Sequence, residues 1–472
     1  MKYGAVPVDE ILDEGARLTG GFHLSEDRRA MATIRRAGLP TVPLVGLTRD
    51  PGIFRGPIFS RRLVDDPRHG EPYGSAKDLT AADVRPAAYL SRTHGALLDT
   101  LRLREGMILV TRSGVNLGQV IWTRPDLAGL VASDDLIRIC PDPAAIAPGY
   151  LYAFLAGRYG RALIRKQIYG GHIKHIEPQH IAALAVPRLG ADLEGQVHAG
   201  VERAAQERTR AAAQLRQADA AVRSWLGADH AAPAACSPQL PWTSVSATQL
   251  QARCDAYYWS GKCLAARRVF DTAGVGEHRA LGEVAEVFVP GIFKRHYVED
   301  PRHGVPYITG ADVFSLTPRS DRFLLRRVVV EHRLDVHAGT ILVQEAGQLG
   351  GLLGHCVRVG AALDGFAVSN NMARVRPYDR RDAGFLMALL STDEGVTLLA
   401  REAAGSSIPH IEAARLRALV LPWPKAEVRH EIGARVDDAI VRRDTASLHD
   451  DNARTRVEQA IAAAGSRDDP AG

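Results

Sequence analysis

Three histidines, His172, His175 and His180, fall within the stretch "HIKHIEPQH", close enough together to suggest metal ligation by imidazole nitrogens. A second stretch, "AGQLGGLLG" from Ala346 to Gly354, has the glycines of a phosphate-cradling loop. It lacks the Gly-Lys-Ser/Thr ending that would hold a nucleotide. No Gly-x-Ser-x-Gly turn exposes a serine nucleophile, and the chain contains no Pro-Pro, so the usual amino-methyltransferase catalytic loop is missing. The histidine cluster meets its own control further along. At "GSSIPHIEAARL" the counterparts of the three are Ser407, His410 and Arg415, so one imidazole survives and a metal is not expected. His175 and His410 are instead expected to make a hydrogen bond used twice.

That control exists because the chain repeats itself. "LVDDPRHGEPYGSAKDL" (63–79) is answered by "YVEDPRHGVPYITGADV" (297–313), at an offset of 234. "GMILVTRSG" (106–114) faces "GTILVQEAG" (339–347), with Gly118 set against Gly351. "ASDDLIRICP" faces "VSNNMARVRP", which sets Arg138 against Arg374, and "GGHIKHIEPQHIAALAVP" faces "GSSIPHIEAARLRALVLP". Four matches in one order, at offsets of 233 to 236, describe a duplication of nearly the whole chain. What repeats is glycine, proline, apolar positions and a few basic residues. What differs lies beside them, as in "TRSGVNLGQ" against "QEAGQLGGL". One scaffold with differing loops is the pattern of two recognition domains that read different things.

The elements follow from periodicity. "MILVTR" and "TILVQE" are strand-like runs bounded by glycine, and "GYLYAFLAGRYGRALIRKQI" and "GFLMALLSTDEGVTLLAREA" carry apolar residues at helical spacing. From Asp192 to Leu226 there is no proline, and Leu193, Val197, Val201, Ala204, Ala211, Leu215, Ala218, Val222 and Trp225 fall at a helix-pairing period, with Arg208 in the gap. Val428, Ile432, Val436, Ala439, Ala446, Ala453, Val457 and Ala460 repeat the seam, with Arg443 matching Arg208 and Asp450 in the place of Leu215. A helix of ~35 residues is ~50 Å long, more than one such domain can cover. The expected fold is therefore α+β: two duplicated domains joined by two long antiparallel, coiled-coil-like helices about a pseudo-twofold axis. The boundaries read as a first domain 1–190, a helix 191–227, a linker 228–245, a second domain 246–424, a second helix 425–465 and a tail 466–472.

Composition fits a globular chain: 46% hydrophobic and 24% charged residues, with no run of ~18 apolar residues and no signal-peptide opening. The five cysteines form no Cys-x-x-Cys, so the expectation is a cytoplasmic protein with reduced thiols and no membrane association. Lys and Arg number 59 against 54 Asp and Glu, a balance that favours a polyanionic partner only slightly.

The chain resembles the specificity (S) subunits of type I restriction–modification systems. The resemblance runs the full length: recognition domain, spacer helix, recognition domain, spacer helix. It is carried by "GMILVTRSG" and "GTILVQEAG", by Gly170, Ile173, Ile176 and Gly405, Ile408, Ile411, by "LVLPWP" closing the second domain, and by "RCDAYY" opening it. The Glu-Gln pair that commonly opens the family's spacer helix is absent. The resemblance implies a non-catalytic subunit in which each domain reads one half of a bipartite double-stranded DNA target. It also implies methyltransferase (M) subunits that bind S-adenosylmethionine, and endonuclease/translocase (R) subunits; no cofactor is expected in this chain. On that reading the candidates for base contacts are Arg112, Asn116, Gln119, His172 and Lys174 in the first domain and Gln344, Glu345, Gln348, Ser406 and Ser407 in the second. Arg61, Arg62, Arg68, Lys294, Arg295 and Arg302 are candidates for phosphate contacts. Asp-Pro-Arg-His-Gly occurs in both halves, so it is expected to form a shared turn rather than to read bases. The competing readings are a specificity module of a related phage-defence methylation system and a protein-binding scaffold.

Overall fold

The computed structural model describes residues 6, 8–13, 25–86, 88–114, 116–169, 174–228, 243–250, 253–273 and 277–466. It is a mixed α+β fold with open sheets. The chain divides into two compact units, Met1–Thr209 with Thr445–Gly472, and Arg210–Asp444.

The first unit carries β1 (Thr41–Pro43), β2 (Thr48–Arg55), β3 (Leu63–Val64), β4 (Gly70–Gly74) and β5 (Ala88–Ser91). It continues with β6 (Ile108–Thr111), β7 (Val120–Trp122), β8 (Val131–Ala132), β9 (Leu136–Pro141) and β10 (Ala185–Pro187). The second carries β11 (His278–Ala280), β12 (Ala285–Phe288), β13 (Tyr297–Val298), β14 (Gly304–Ile308) and β15 (Phe323–Leu325). It continues with β16 (Ile341–Gln344), β17 (Cys356–Arg358), β18 (Ala367–Val368), β19 (Met372–Pro377) and β20 (Val420–Pro422). Sheet order in the first unit is β2-β9-β6-β7, β3-β5-β4-β8 and β1-β10; in the second it is β12-β19-β16-β17, β13-β15-β14-β18 and β11-β20. Each strand of the first unit thus has its equivalent ten strands on, in the same sheet position.

β6 shows why its sequence is an unbroken apolar run. Ile108 and Val110 enter one core with Ile137, Ile139 and Tyr150, while Leu109 enters another with Ile121 and Leu136. A strand covered on both faces needs no polar alternation. β16 divides in the same way: Ile341 and Val343 on one side, Leu342 on the other.

The apolar segments after β9 and β19 are not single helices. Each breaks in two, Pro148–Ala156 with Arg158–Lys166 and Ala383–Leu390 with Asp393–Arg401. Gly160 and Gly395 allow the break, since a Cβ at either would run into the backbone of the preceding helix. The first helix of each pair lies against a long helix through a second glycine. A Cβ on Gly149 would stand 2.9 Å from the His198 Cα, and one on Gly384 would stand 2.7 Å from the Gly433 Cα. Among the described residues no single helix is long and apolar enough to cross a membrane.

The two long helices run Ala191–Leu226 and Ala426–Ser466, and the division between units falls within both. The exit into the first is fixed by buried Glu194, which accepts from Arg188 Nε at 3.0 Å and from the Leu189 amide at 2.9 Å. In the first unit the helices run in opposite directions: Gln196 meets Arg456, and the small Gly200 faces Ala453. Val197, Val201, Ala204, Ala453 and Val457 are buried there, as the seam requires. In the second unit Ala211, Leu215, Ala218 and Val222 share a core with Ile432, Val436 and Ala439.

Candidate nucleic-acid interface

In each unit the two variable loops are sewn side by side by the same backbone bonds. In the first, the Ile176 amide donates to the Arg112 carbonyl (3.1 Å), and Ser113 bridges His175. In the second, the Ile411 amide donates to the Glu345 carbonyl (2.8 Å), and Ala346 bridges His410. The β6–β7 loop closes with the Gly118 amide on the Thr111 carbonyl at 2.9 Å, and the β16–β17 loop with the Gly354 amide on the Gln344 carbonyl at 2.9 Å. Gly118 therefore corresponds to Gly354 and not to Gly351. The second loop is three residues longer, which is the step in offset from 233 to 236. Both glycines take the left-handed φ, +78° and +81°, that suits a residue without a side chain.

On this shared frame the side chains differ. Arg112 is held inward by Glu177 (2.6 Å) and Asp135 (3.3 Å), and its pKa is raised first by the Glu177 bond. Its counterpart Glu345 is buried and paired with His410 Nδ1 at 3.2 Å; burial pushes its carboxyl upward while His410 pulls it back. Gln344, the counterpart of Thr111, is also buried, with Nε2 donating to the Ala346 carbonyl at 2.7 Å. These positions correct the expectation that Gln344 and Glu345 face a base edge: both belong to the frame that shapes the loop. Arg112 is likewise committed to two carboxylates. Asn116 is half-buried and donates to Thr80 Oγ1 at 3.2 Å. Gln119, Lys174, Gln348, Ser406 and Ser407 are exposed on the loops, and His172 lies outside the described residues. His175 and His410 share a backbone pairing, with Tyr169 and Ala404 respectively, and their imidazoles differ: one meets the Tyr169 ring edge-on at 4.2 Å, the other binds Glu345.

The basic residues ahead of Asp-Pro-Arg-His-Gly also divide. Arg61 pairs with Asp134 at 2.8 Å, and Arg295 donates to the Tyr307 hydroxyl at 3.2 Å. Arg62 and Lys294 are exposed and have no carboxylate partner among the described residues. The repeated pentapeptide forms a short 3-10 turn in both units, Pro67–His69 and Pro301–His303. Asp66 caps it by accepting from the Arg68 amide (2.9 Å) and grips the Arg68 guanidinium with both oxygens, Oδ1 on Nε (3.0 Å) and Oδ2 on Nη2 (2.6 Å). Asp300 treats Arg302 in the same way, at 2.9, 3.1 and 2.7 Å. Arg68 and Arg302 are thus each held by the acid of their own turn while their side chains stay 84% exposed.

Two residues that sequence reading matched but gave no role are Arg138 and Arg374. Both are fully buried. Arg138 donates to the carbonyls of Leu136, Leu101, Ala132 and Ser133, at 2.9 to 3.3 Å. Arg374 donates to those of Ser369, Met372, Leu334 and Val368. Burial lowers their pKa values to about 10 and about 9, which leaves both cationic at neutral pH. Each ties a central strand, β9 or β19, to a strand of the neighbouring sheet, β8 or β18. Their equivalent places in the matched segments "ASDDLIRICP" and "VSNNMARVRP" were the available signal.

No family model matches the sequence, and no curated protein does. Among solved structures the chain is similar to the S subunit of a type I restriction–modification system from M. genitalium, at 13% identity. That match covers 90% of this chain and 96% of that one, with a TM-score of 0.40. A chain from a study of complex assembly and conformational transition in a type I R-M system matches at 14% identity, 91% and 98% coverage and a TM-score of 0.29. The HsdS subunit from Thermoanaerobacter tengcongensis matches at 14% identity, 90% and 96% coverage and a TM-score of 0.26.

Proposed function

We propose that the chain is a DNA sequence-specificity subunit of a type I restriction–modification complex, each unit reading one half of a bipartite target. One observation carries the reading: the same backbone frame holds paired loops in both units while the exposed side chains on those loops differ. A frame kept constant under changing side chains suits two readers of different sequences. Gln119 and Lys174 read in the first unit, Gln348, Ser406 and Ser407 in the second, and Arg62 and Lys294 contact phosphate. The long helices set the gap between half-sites. Catalysis belongs to partners: methyltransferase subunits that bind S-adenosylmethionine, and translocating endonuclease subunits.

Methylome sequencing of a host carrying this chain with its methyltransferase tests the reading. A bipartite methylated motif should appear only when the chain is present. Gln119→Ala with Lys174→Ala should relax one half of the motif and leave the other intact, at ~1–3 kcal/mol per lost base contact. Arg62→Ala should weaken binding to all sequences alike and flatten the salt slope. The chain alone should neither methylate nor cleave DNA. Methylation that ignores the chain, or a motif with no second half, removes the reading.

A further inference from the structure

The residue that follows β6 is an arginine and the one that follows β16 is a glutamate, Arg112 and Glu345, although the main chain around both is the same. The Arg112 amide donates to the Asp135 carbonyl at 3.2 Å, and the Glu345 amide to the Asn371 carbonyl at 3.0 Å. The carbonyl of each then receives the amide that leaves the second loop, Ile176 or Ile411. A charge reversed at a point pinned on both sides requires its surroundings to change with it, because a partly buried charge without a partner is costly. The surroundings do change.

In the first unit Arg112 is the centre of an ionic network. Its Nε and Nη2 donate to Glu177 Oε1 at 3.1 and 2.6 Å, and its Nη1 to Asp135 Oδ1 at 3.3 Å. Glu177 Oε2 accepts from Arg55 Nε at 3.2 Å, and Ser113 Oγ donates to Asp135. The network ties the end of β2, the root of the β6–β7 loop, the turn ahead of β9 and the cap of the short helix Pro178–Ala182. In the second unit the equivalents of Arg55, Ser113 and Asp135 are Val289, Ala346 and Asn371. Asn371 spares the buried Glu345 a second carboxylate. Glu345 instead pairs with His410 Nδ1 at 3.2 Å. Glu412, the equivalent of Glu177, is exposed and has no cation beside it among the described residues. The tie to the second loop thus moves from the helix cap to a residue of the loop itself.

Both anchors fasten one variable loop to the other. Glu177 comes three residues after Lys174, and His410 three after Ser407, side chains assigned above to base edges. Such side chains discriminate only when held to within about 0.5 Å of their working geometry. We propose that Arg112 and Glu345 are positioning residues for base recognition, each fixing its unit's second loop against the first through an ionic anchor of its own kind. The proposal rests on the specificity-subunit reading. The two anchors are alternative solutions to one task, so the residues at 55, 112 and 135 belong to the first unit's specificity as much as the exposed loop side chains do.

The test uses the full-length chain with its methyltransferase subunit, and duplexes in which one half of the methylated motif at a time carries a substituted base pair. Arg112→Met keeps the bulk and removes the charge. Preference for the correct first half should fall about tenfold, while preference in the second half keeps its wild-type value. Glu345→Leu should do the converse. Arg112→Lys keeps an ion pair and Glu345→Gln keeps an acceptor, so both should retain most of the preference. Arg112→Glu alone brings three carboxylates together and should lower both first-half preference and melting temperature. Adding Arg55→Val and Asp135→Asn copies the second unit's set beside His175 and should recover part of both losses. A triple variant no better than Arg112→Glu alone overturns the proposal. Affinity that falls alike for every duplex, with both preferences intact, overturns it too, and leaves the anchors a role in stability only. Unchanged preferences in Arg112→Met and Glu345→Leu overturn it while the specificity-subunit reading stands. A wild-type complex that prefers no duplex removes that reading and the anchors together.

Discussion

Arg138 and Arg374 are buried cations whose hydrogen bonds all run to main-chain carbonyls. Arg138→Met would keep the bulk and strand up to four acceptors, each costing about 1–3 kcal/mol when left unsatisfied. Urea denaturation should show a loss on the order of 3 kcal/mol or more, and an unmoved midpoint would deny the clamp any role in stability. At the surface, the Arg68 side chain and amide together hold the Asp66 carboxyl down from 3.8 to about 2. A depressed carboxylate contributes fully above its unfolded value and loses that contribution as pH falls through about 2. Carboxyl-carbon NMR should therefore find Asp66 still ionised at pH 3. Arg68→Ala should move its midpoint part-way back toward 3.8 and leave Asp300 where it was. An Asp66 midpoint at the ordinary value in the wild type would mean that the turn is open in solution.

At the scale of elements, the long-helix seam contains one buried polar knot. Asp450 lies between Arg208 and Arg454, 3.1 Å from each, where the first helix has Leu215 in the matching place. Asp450→Leu alone leaves Arg208 buried without its acid, at about 3–5 kcal/mol, while Arg454 keeps Asp451. Adding Arg208→Leu should recover most of that loss, because a well-packed apolar pair replaces a buried ion pair at little cost. Thermal melts of the two single variants and the double close the cycle, and strictly additive losses would show that the pair is not coupled. Gly384→Ala belongs to the same scale. It should push the short helix off the Gly433 backbone and destabilise by ~1–3 kcal/mol, visible as a lower melting temperature. An unchanged melt would mean that the helices do not cross this closely.

At the scale of the whole molecule, the long helices are proposed to fix the gap between half-sites. The pairing of Gln196 with Arg456 and Gly200 with Ala453 sets which deletion keeps the helices matched. Removing Ala204–Arg210 together with Asp444–Asp450 takes one heptad from each helix and removes both members of the Arg208–Asp450 pair. Ala211 then follows Arg203 in the place of Ala204, and Asp451 follows Arg443 in the place of Asp444. Seven residues at 1.5 Å shorten the helix by ~10 Å, equivalent to about three base pairs of 3.4 Å. The unspecified gap of the methylated motif should shrink by about three while the specified bases stay the same. An active variant that methylates the original spacing would show that the helices are not the ruler.

The repeat was legible because it is linear: glycine, proline and apolar residues recur in the same order at offsets of 233 to 236, and all ten strands of one unit have equivalents in the other. The long helices were legible for a similar reason, since period and the absence of proline are local properties. What sequence could not decide is where a polar side chain points. Gln344 and Glu345 stood in a variable loop and proved to be frame, because the chain turns inward at β16 and buries them. Asp450 and Arg208 were visible as two flaws in separate seams, and only the packing of one helix against the other made them a pair. Hydrophobic pattern is written residue by residue, whereas burial and ion pairing depend on neighbours hundreds of positions away, and those exist only once the chain has folded.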